Sequence, residues 1–473
     1  MIDLTLLSAT EMAARIRDKE ISPVELIEAH LAKIERLNPL LNAYIQVDAD
    51  RARQQARAAE AAVMMRSGKV LGPLHGVPIS IKSSMEVAGL RCEAGTRLRA
   101  GVVTTQDAPL VTRLKDASAI VLGTTNTPEL LMAWETDNLL YGRTNNPWNL
   151  DYTPGGSSGG EAAAIAAGMS AGGVGSDGGG SIRVPAHFSG ICGLKPTPGR
   201  VPATGHYPPS AGPFALIGVV GPMARTVDDL KLLFEVMQGP DDGDTYAAPV
   251  PLRWSSDEEV KQLKIGYFED DGRTPVTPET RAAVRTAAES LRCAGFQVEA
   301  FRPQGLEEAR LLWRKFFVTA GAMLIRPMFH GHEKDLSPIL KQFLDWADLE
   351  PSHTGETFLD AWIRRDALRA EFLMQMREYP ILLCPAAAIP AFRHGERSWN
   401  IEGKRVDYLH AWSYTEWFNL LGNPAAVVPV SHSSEGLPIG VQIVGQPWEE
   451  EKVLAVAAEL ERQRGPWDAP PVA

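Results

Sequence analysis

Between Gly155 and Gly180, eleven residues are glycine and six are alanine, and this run constrains the fold more than any other part of the chain. A segment with so few bulky side chains must be approached closely by its neighbours. Glycine also frees the backbone to turn its N–H groups toward a ligand. Within the run, Glu161-Ala-Ala-Ala-Ile-Ala-Ala167 predicts a short helix of small residues that packs tightly in a core. Serines set in glycine flank it: Gly155-Gly-Ser157-Ser158-Gly-Gly160 on one side and Asp177-Gly178-Gly179-Gly180-Ser181-Ile-Arg183 on the other. A hydroxyl beside free N–H groups supplies a nucleophile and an oxyanion site, the two requirements of acyl transfer.

The rest of the chain alternates short apolar runs with helical patterns. The first seventy residues read as helices, with Ser22-Pro23-Val24-Glu25 as an N-terminal cap and a second helix over Asp48 to Met65. Val77–Ile81, Ala119–Leu122, Leu263–Phe268, Phe296–Ala300, Ile381–Cys384, Ala425–Val430 and Ile439–Val444 read as strands. Helices are expected near Pro109–Ala117, after Thr277-Pro278 and over Glu451–Glu461, and residues 305–378 read as mostly helical. The pattern predicts one α/β domain over 1–473, with N-terminal helices 1–70 and a helical cap inserted at about 305–378.

At 473 residues, with 44% hydrophobic and 22% charged, the chain has the make-up of a globular protein. A net charge of −11 argues against a nucleic-acid partner, and no stretch is apolar enough for a membrane span. The beginning of the chain lacks a secretory pattern, and Cys92, Cys192, Cys293 and Cys384 lie far apart. These features point to a cytoplasmic protein without metal or cofactor, acting as monomer or homodimer.

Generic motifs were weighed on their context. Gly173-Val-Gly175-Ser-Asp-Gly178 fits a dinucleotide fingerprint, but Pro185 follows where a long helix should run. Gly155-Gly-Ser157-Ser-Gly159 fits a nucleophile elbow, yet the residues before it, Asn145 to Pro154, are loop chemistry rather than a strand. A Ser–His–Asp site on Ser157 remains an alternative and would need a late histidine such as His410 or His432. His330 and His332 lack a third metal ligand at a familiar spacing. A flexible linker does not fit, because an alanine-rich helix separates the loops and Ile182, Val184 and Phe188 follow them.

Lys82 ends the apolar run Gly76–Ile81, seventy-five residues before Ser157. Neither glycine stretch places a histidine beside its serine. A buried lysine can serve instead, since desolvation disfavours the ammonium form. A pKa brought from about 10.4 to roughly 7–8 makes the amine available as a base. Lys82, Ser157 and Ser181 then compose a proton relay.

These residues resemble the amidase signature family of Ser–cis-Ser–Lys hydrolases. The resemblance runs through Gly72–Lys82, Asn145–Trp148, Pro154–Glu161, Gly175–Pro185, Gly190–Thr197, Asn419–Pro424 and Gly436–Gln442. It implies a single mixed sheet of about eleven strands wrapped in helices. It also implies Ser181 as nucleophile, Ser157 as the bridging serine after a cis peptide, and Lys82 as base and then acid. The N–H groups of Gly178, Gly179, Gly180 and Ser181 would form the oxyanion hole, Asp177 and Arg183 would hold this loop, and Ser158 would support Lys82. Two positions depart from the family pattern: Ser83 stands where an acidic residue is frequent, and Gly178 where threonine or isoleucine is common.

Within the family, the A subunit of glutamyl-tRNA amidotransferase carries an aspartate three residues before the threonine of a D-x-x-T stretch. Counting back from Thr415, the matching residue here is Trp412, which weakens a glutamine substrate. Leu131, Met132, Trp134 and Trp412 suggest an apolar acyl or aryl pocket instead. The expectation is a stand-alone amidase for a small-molecule amide, with anilides, esters and carbamates sharing the same oxyanion step.

Overall fold

Small side chains decide the centre of the molecule. The computed structural model describes residues 3–65, 70–351 and 353–473; residues 1–2 and 66–69 of the expected N-terminal helical region, and 352 of the expected cap, lie outside them. The strands are β1 (Tyr44–Val47), β2 (Pro78–Lys82), β3 (Ile120–Thr125), β4 (Gly172–Asp177), β5 (Cys192–Lys195), β6 (Val219–Ala224), β7 (Lys264–Tyr267), β8 (Gln297–Ala300), β9 (Ile381–Pro385), β10 (Ser398–Ile401), β11 (Lys404–Asp407), β12 (Ala425–His432) and β13 (Pro438–Val444). Eleven of them form one mixed sheet in the order β1-β3-β2-β4-β6-β5-β12-β13-β9-β7-β8, and β10 and β11 form a separate hairpin.

Strand β2 runs parallel to both β3 and β4, and every residue of these three strands is buried. Full burial on both faces is the usual setting of parallel strands. Lys82, Thr125 and Asp177 end the three strands, so the chemistry-bearing residues gather at one carboxyl-terminal edge.

The helix expected over Glu161–Ala167 is present at Gly159–Ala166 and lies against β2 and β4. It comes this close because half of β4 is glycine. A Cβ on Gly173 would stand 1.9 Å from Glu161 Oε1 and 2.3 Å from Ser80 O.

Most sequence-based elements occur with bounds shifted by a residue or two, including the 305–378 region, whose helices are Leu306–Trp313, Ala320–Met328, Pro338–Leu349 and Gly355–Gln375. Between the first two, a wider π-helical turn spans Arg314–Thr319. The N-terminal region also holds strand β1, antiparallel to β3, so it is not wholly helical. Ser22 caps its helix through Val24 N–H and Glu25 N–H. The acyl-transfer loop begins as strand β4, because glycine there is selected by close approach rather than by a turn.

The crowding predicts that Gly173→Ala destabilises the protein by about 1–3 kcal/mol, as overpacked cores do. Denaturant midpoints of the two proteins measure it, and an unchanged midpoint would contradict the packing account.

Candidate active site

Lys82 is fully buried and donates to Ser157 Oγ at 2.7 Å, Ser158 Oγ at 2.9 Å and Ser176 Oγ at 3.0 Å. Three hydroxyls thus surround the amine and no carboxylate touches it. Burial brings its pKa down to about 7, against the opposing pull of Asp177 and Glu161. The expected contact with Ser158 is present, and Ser176, which sequence reasoning passed over, completes the set. The peptide bond Gly156–Ser157 is cis. Thr127 Oγ1 holds Ser157 O at 2.8 Å, and Ser158 N–H donates to Ser181 O at 3.2 Å, joining the two glycine stretches. Among the described residues, no hydrogen bond joins the Ser181 hydroxyl to Ser157, although both residues line the same cavity.

Asp177 organises the turn that carries Ser181. Its Oδ1 accepts from Gly180 N–H at 2.7 Å, and its Oδ2 from Ile182 N–H at 3.1 Å and Arg183 Nε at 3.0 Å. Burial opposes its charge most, but Arg183, Lys195 and the Gly180 N–H together hold the carboxyl well below its usual range. Arg183 also reaches Gln442 Oε1, Asn419 Oδ1 and Thr415 O, tying the turn to two C-terminal segments. One expectation changes here: the Gly180 N–H is spent on Asp177, so it leaves the expected donor set. Among the described residues, the N–H groups of Gly178, Gly179 and Ser181 carry no protein partner. Gly180 has φ +116, and a Cβ there would meet Thr415 Oγ1 at 2.4 Å.

The loop carbonyls are held from the far side. Trp313 Nε1 donates to Gly178 O at 2.8 Å, Trp134 Nε1 to Gly179 O at 2.8 Å, and Thr415 Oγ1 to Gly179 O at 2.9 Å. Gly178, one of the two departures, has a direct cause: a Cβ there would stand 2.6 Å from Phe317 Cε2. Phe317 stacks on Trp313 at 4.8 Å across the π-helical turn. Trp313 and Phe317 therefore read the glycine loop, a role that their place in an aromatic-rich helical segment did not reveal. Ser83, the other departure, is buried and hydrogen-bonds through its backbone to Thr125 O and Ala94 N–H. Nothing in the structure explains its replacement of an acid.

A cavity of about 360 Å³ opens onto Ser157 and Ser181. Its walls include Leu131, Met132, Phe214, Phe317, Leu324 and Met328. Trp134 and Trp412 do not line it. They are buried behind the loop, stacked at 5.7 Å, because the Trp134 indole is turned toward Gly179. His206 does line the cavity; its Nδ1 pairs with Pro208 O at 2.8 Å, and burial pushes its pKa down to about 4, leaving it neutral. The histidines required by a Ser–His–Asp site lie elsewhere: His410 pairs with Asp407 at 2.6 Å, and His432 stacks on Trp467 at 4.4 Å.

A mixed sheet with a neutral-leaning lysine among serines at its parallel edge defines an amide-hydrolysing class of enzyme. Comparison with known proteins agrees: the family model described as Amidase matches residues 25–454, and the chain belongs to that family. It is 35% identical to an acylamidase of Rhodococcus erythropolis, over 98% of this chain and 97% of that protein. It is also 35% identical to an indoleacetamide hydrolase of Bradyrhizobium diazoefficiens, over 97% of this chain and 86% of that protein. Among solved structures, a bacterial aryl acylamidase of the amidase signature family superposes with a TM-score of 0.86 at 29% identity, covering 98% of this chain and 96% of that one. No helix among the described residues is long and apolar enough to cross a membrane.

Trp313→Phe keeps an aromatic ring at the position and removes the bond to Gly178 O. A lost hydrogen bond of about 1 kcal/mol predicts a roughly five-fold fall in kcat with KM little changed. Steady-state kinetics on an amide substrate measure the split, and a KM effect alone would contradict it.

Proposed function

We propose that this amidase cleaves the C–N bond of apolar acyl or aryl amides through an acyl-enzyme on Ser181. The observation that carries the reading is the buried Lys82 amine, 2.7 Å from the Oγ of Ser157, which lines one cavity together with Ser181. Neutral Lys82 takes the Ser157 proton while Ser157 takes that of Ser181, whose Oγ attacks the carbonyl carbon. Closing the Ser157–Ser181 link falls to the substrate-bound state, since hydrogen bonds at catalytic groups commonly tighten there. The negative charge that develops on the carbonyl oxygen is met by the N–H groups of Gly178, Gly179 and Ser181, each such donor contributing about 3 kcal/mol. The proton returns through Ser157 to the leaving nitrogen, the amine departs, and water releases the acid by the same route in reverse.

The apolar wall supports an acyl or aryl group rather than glutamine. Among the described residues, the one carboxylate on the cavity is Asp177, already engaged by Arg183, so no free acid waits for an α-ammonium. Two relatives, named for acylamide and indoleacetamide hydrolysis, agree with this substrate class. Esters, anilides and carbamates share the same oxyanion step. Cys92, Cys192 and Cys384 are free, buried thiols, which supports a reducing, cytoplasmic setting.

Treatment with a fluorophosphonate, followed by peptide mapping, tests the nucleophile. A single adduct on Ser181, absent in Ser181→Ala together with turnover, is the expected outcome; an adduct on Ser157 would overturn the assignment. Phe317 forms part of the acyl wall, so Phe317→Ala should raise kcat/KM for long-chain relative to acetyl amides by about ten-fold. An unchanged ratio would remove Phe317 from that wall.

A further inference from the structure

Glu161 is a carboxylate on the helix Gly159–Ala166, whose other residues are glycine, alanine and isoleucine, and it is fully buried. Its Oε1 accepts from Ser80 Oγ at 2.5 Å and its Oε2 from Thr125 Oγ1 at 2.6 Å. Both hydroxyl bonds favour the anionic form of the carboxyl. Both partners belong to the lysine's own surroundings. Ser80 precedes Lys82 by two residues on β2 and shares its face, while Thr125 is the register partner of Lys82 on β3. The carboxylate does not touch the amine, whose three bonds go to Ser157, Ser158 and Ser176. Room for it exists because Gly173 has no side chain: a Cβ there would stand 1.9 Å from Oε1.

Burying a carboxylate in such a helix is costly, and an apolar residue would pack the same layer without that penalty. We propose that Glu161 is a positioning residue for the reaction: a buried carboxyl group behind Lys82, coupled to it, that sets the pH at which the lysine gives up its proton to start the relay. This rests on the reading of Lys82 as the base.

The other groups around the pair leave these two to titrate together. Tyr44 of β1 lies beside Glu161 and stays protonated, its phenol pushed up by burial and by Glu161. Asp177, at the end of β4, is held ionised by Arg183, and His206 faces Lys82 as a neutral ring. Burial lifts the Glu161 carboxyl to about 7, against Ser80, Thr125 and Lys82, which favour the anion. Lys82 falls to about 7 by its own burial. The acidic limb of the activity profile therefore belongs to the pair.

The sign follows from charge. Anionic Glu161 favours the ammonium, so its removal lets Lys82 lose its proton at lower pH. The experiment is the pH profile of kcat/KM on an apolar amide, and of the rate at which a fluorophosphonate modifies Ser181, for the wild type and Glu161→Gln. Both acidic limbs should move to lower pH by about one unit, about a ten-fold gain in relative rate on the limb, with the alkaline plateau little changed. A limb that stays in place or moves to higher pH overturns the proposal. Ser80→Ala and Thr125→Val each remove one hydroxyl from the carboxylate; they should shift the limb the same way by less, and they decide the matter if Glu161→Gln fails to fold. Lys82→Ala separates the two readings. If it keeps the wild-type limb, the base assignment itself fails; if it abolishes activity while Glu161→Gln leaves the limb unmoved, the role of Glu161 alone fails.

Discussion

The buried pair of Asp177 and Arg183 holds the catalytic edge of this enzyme together. Both side chains are inaccessible to solvent, and they are joined at 3.0 Å. Asp177 fixes the turn N–H groups on either side of Ser181, those of Gly180 and Ile182, while Arg183 reaches Thr415 O, Asn419 and Gln442. A loop of three consecutive glycines would otherwise sample many conformations and lose the fixed directions of its N–H groups. A pair like this gives little net stability, but removing one partner leaves an uncompensated charge and costs about 3–5 kcal/mol. What it confers is one conformation for a glycine-rich backbone.

Around that pair the molecule divides its labour by side. Asp177 orders the N–H face of the turn, and Trp134, Trp313 and Thr415 order its carbonyls. Part of the aromatic contribution comes from the helices inserted between β8 and β9, where the π-helical turn and the helix before it place Phe317 over Gly178 and Trp313 over Gly179. Phe317 also lines the cavity, so the cavity wall is continuous with the support of the glycine loop. On the other side of the loop, hydroxyls rather than charges surround Lys82. Hydroxyls hydrogen-bond the amine without adding a negative charge that would lock it as an ammonium.

Much of this was legible in the chain. Two serines in glycine, with a lysine at the end of an apolar run, marked the groups that the proposed reaction uses, because a nucleophile and a base are carried by residue type. Seven of the strands and the inserted helices were readable from apolar runs, whereas β1, β4, β5, β6, β10 and β11 were not, and β4 is the instructive case. Its glycines looked like loop, and only the approach of Glu161 and Ser80 explains why glycine is needed within a strand. The pocket was half legible. Leu131 and Met132 line it, whereas Trp134 and Trp412 lie behind the loop, since residue type does not say which way an indole points.

The sequence by itself determined the chemistry: which residues can attack, which amine can be neutralised by burial, and the mixed α/β class that buries it. Only the tertiary structure decided the geometry. Gly180 spends its N–H on Asp177, Ser176 completes the shell of Lys82, and Glu161 reaches Ser80 and Thr125 across eighty-one and thirty-six residues of chain. Local sequence encodes propensity and reactivity over a few residues. Hydrogen-bond partners and electric fields depend on atoms brought within a few ångströms from distant positions, and that proximity exists only once the sheet has assembled.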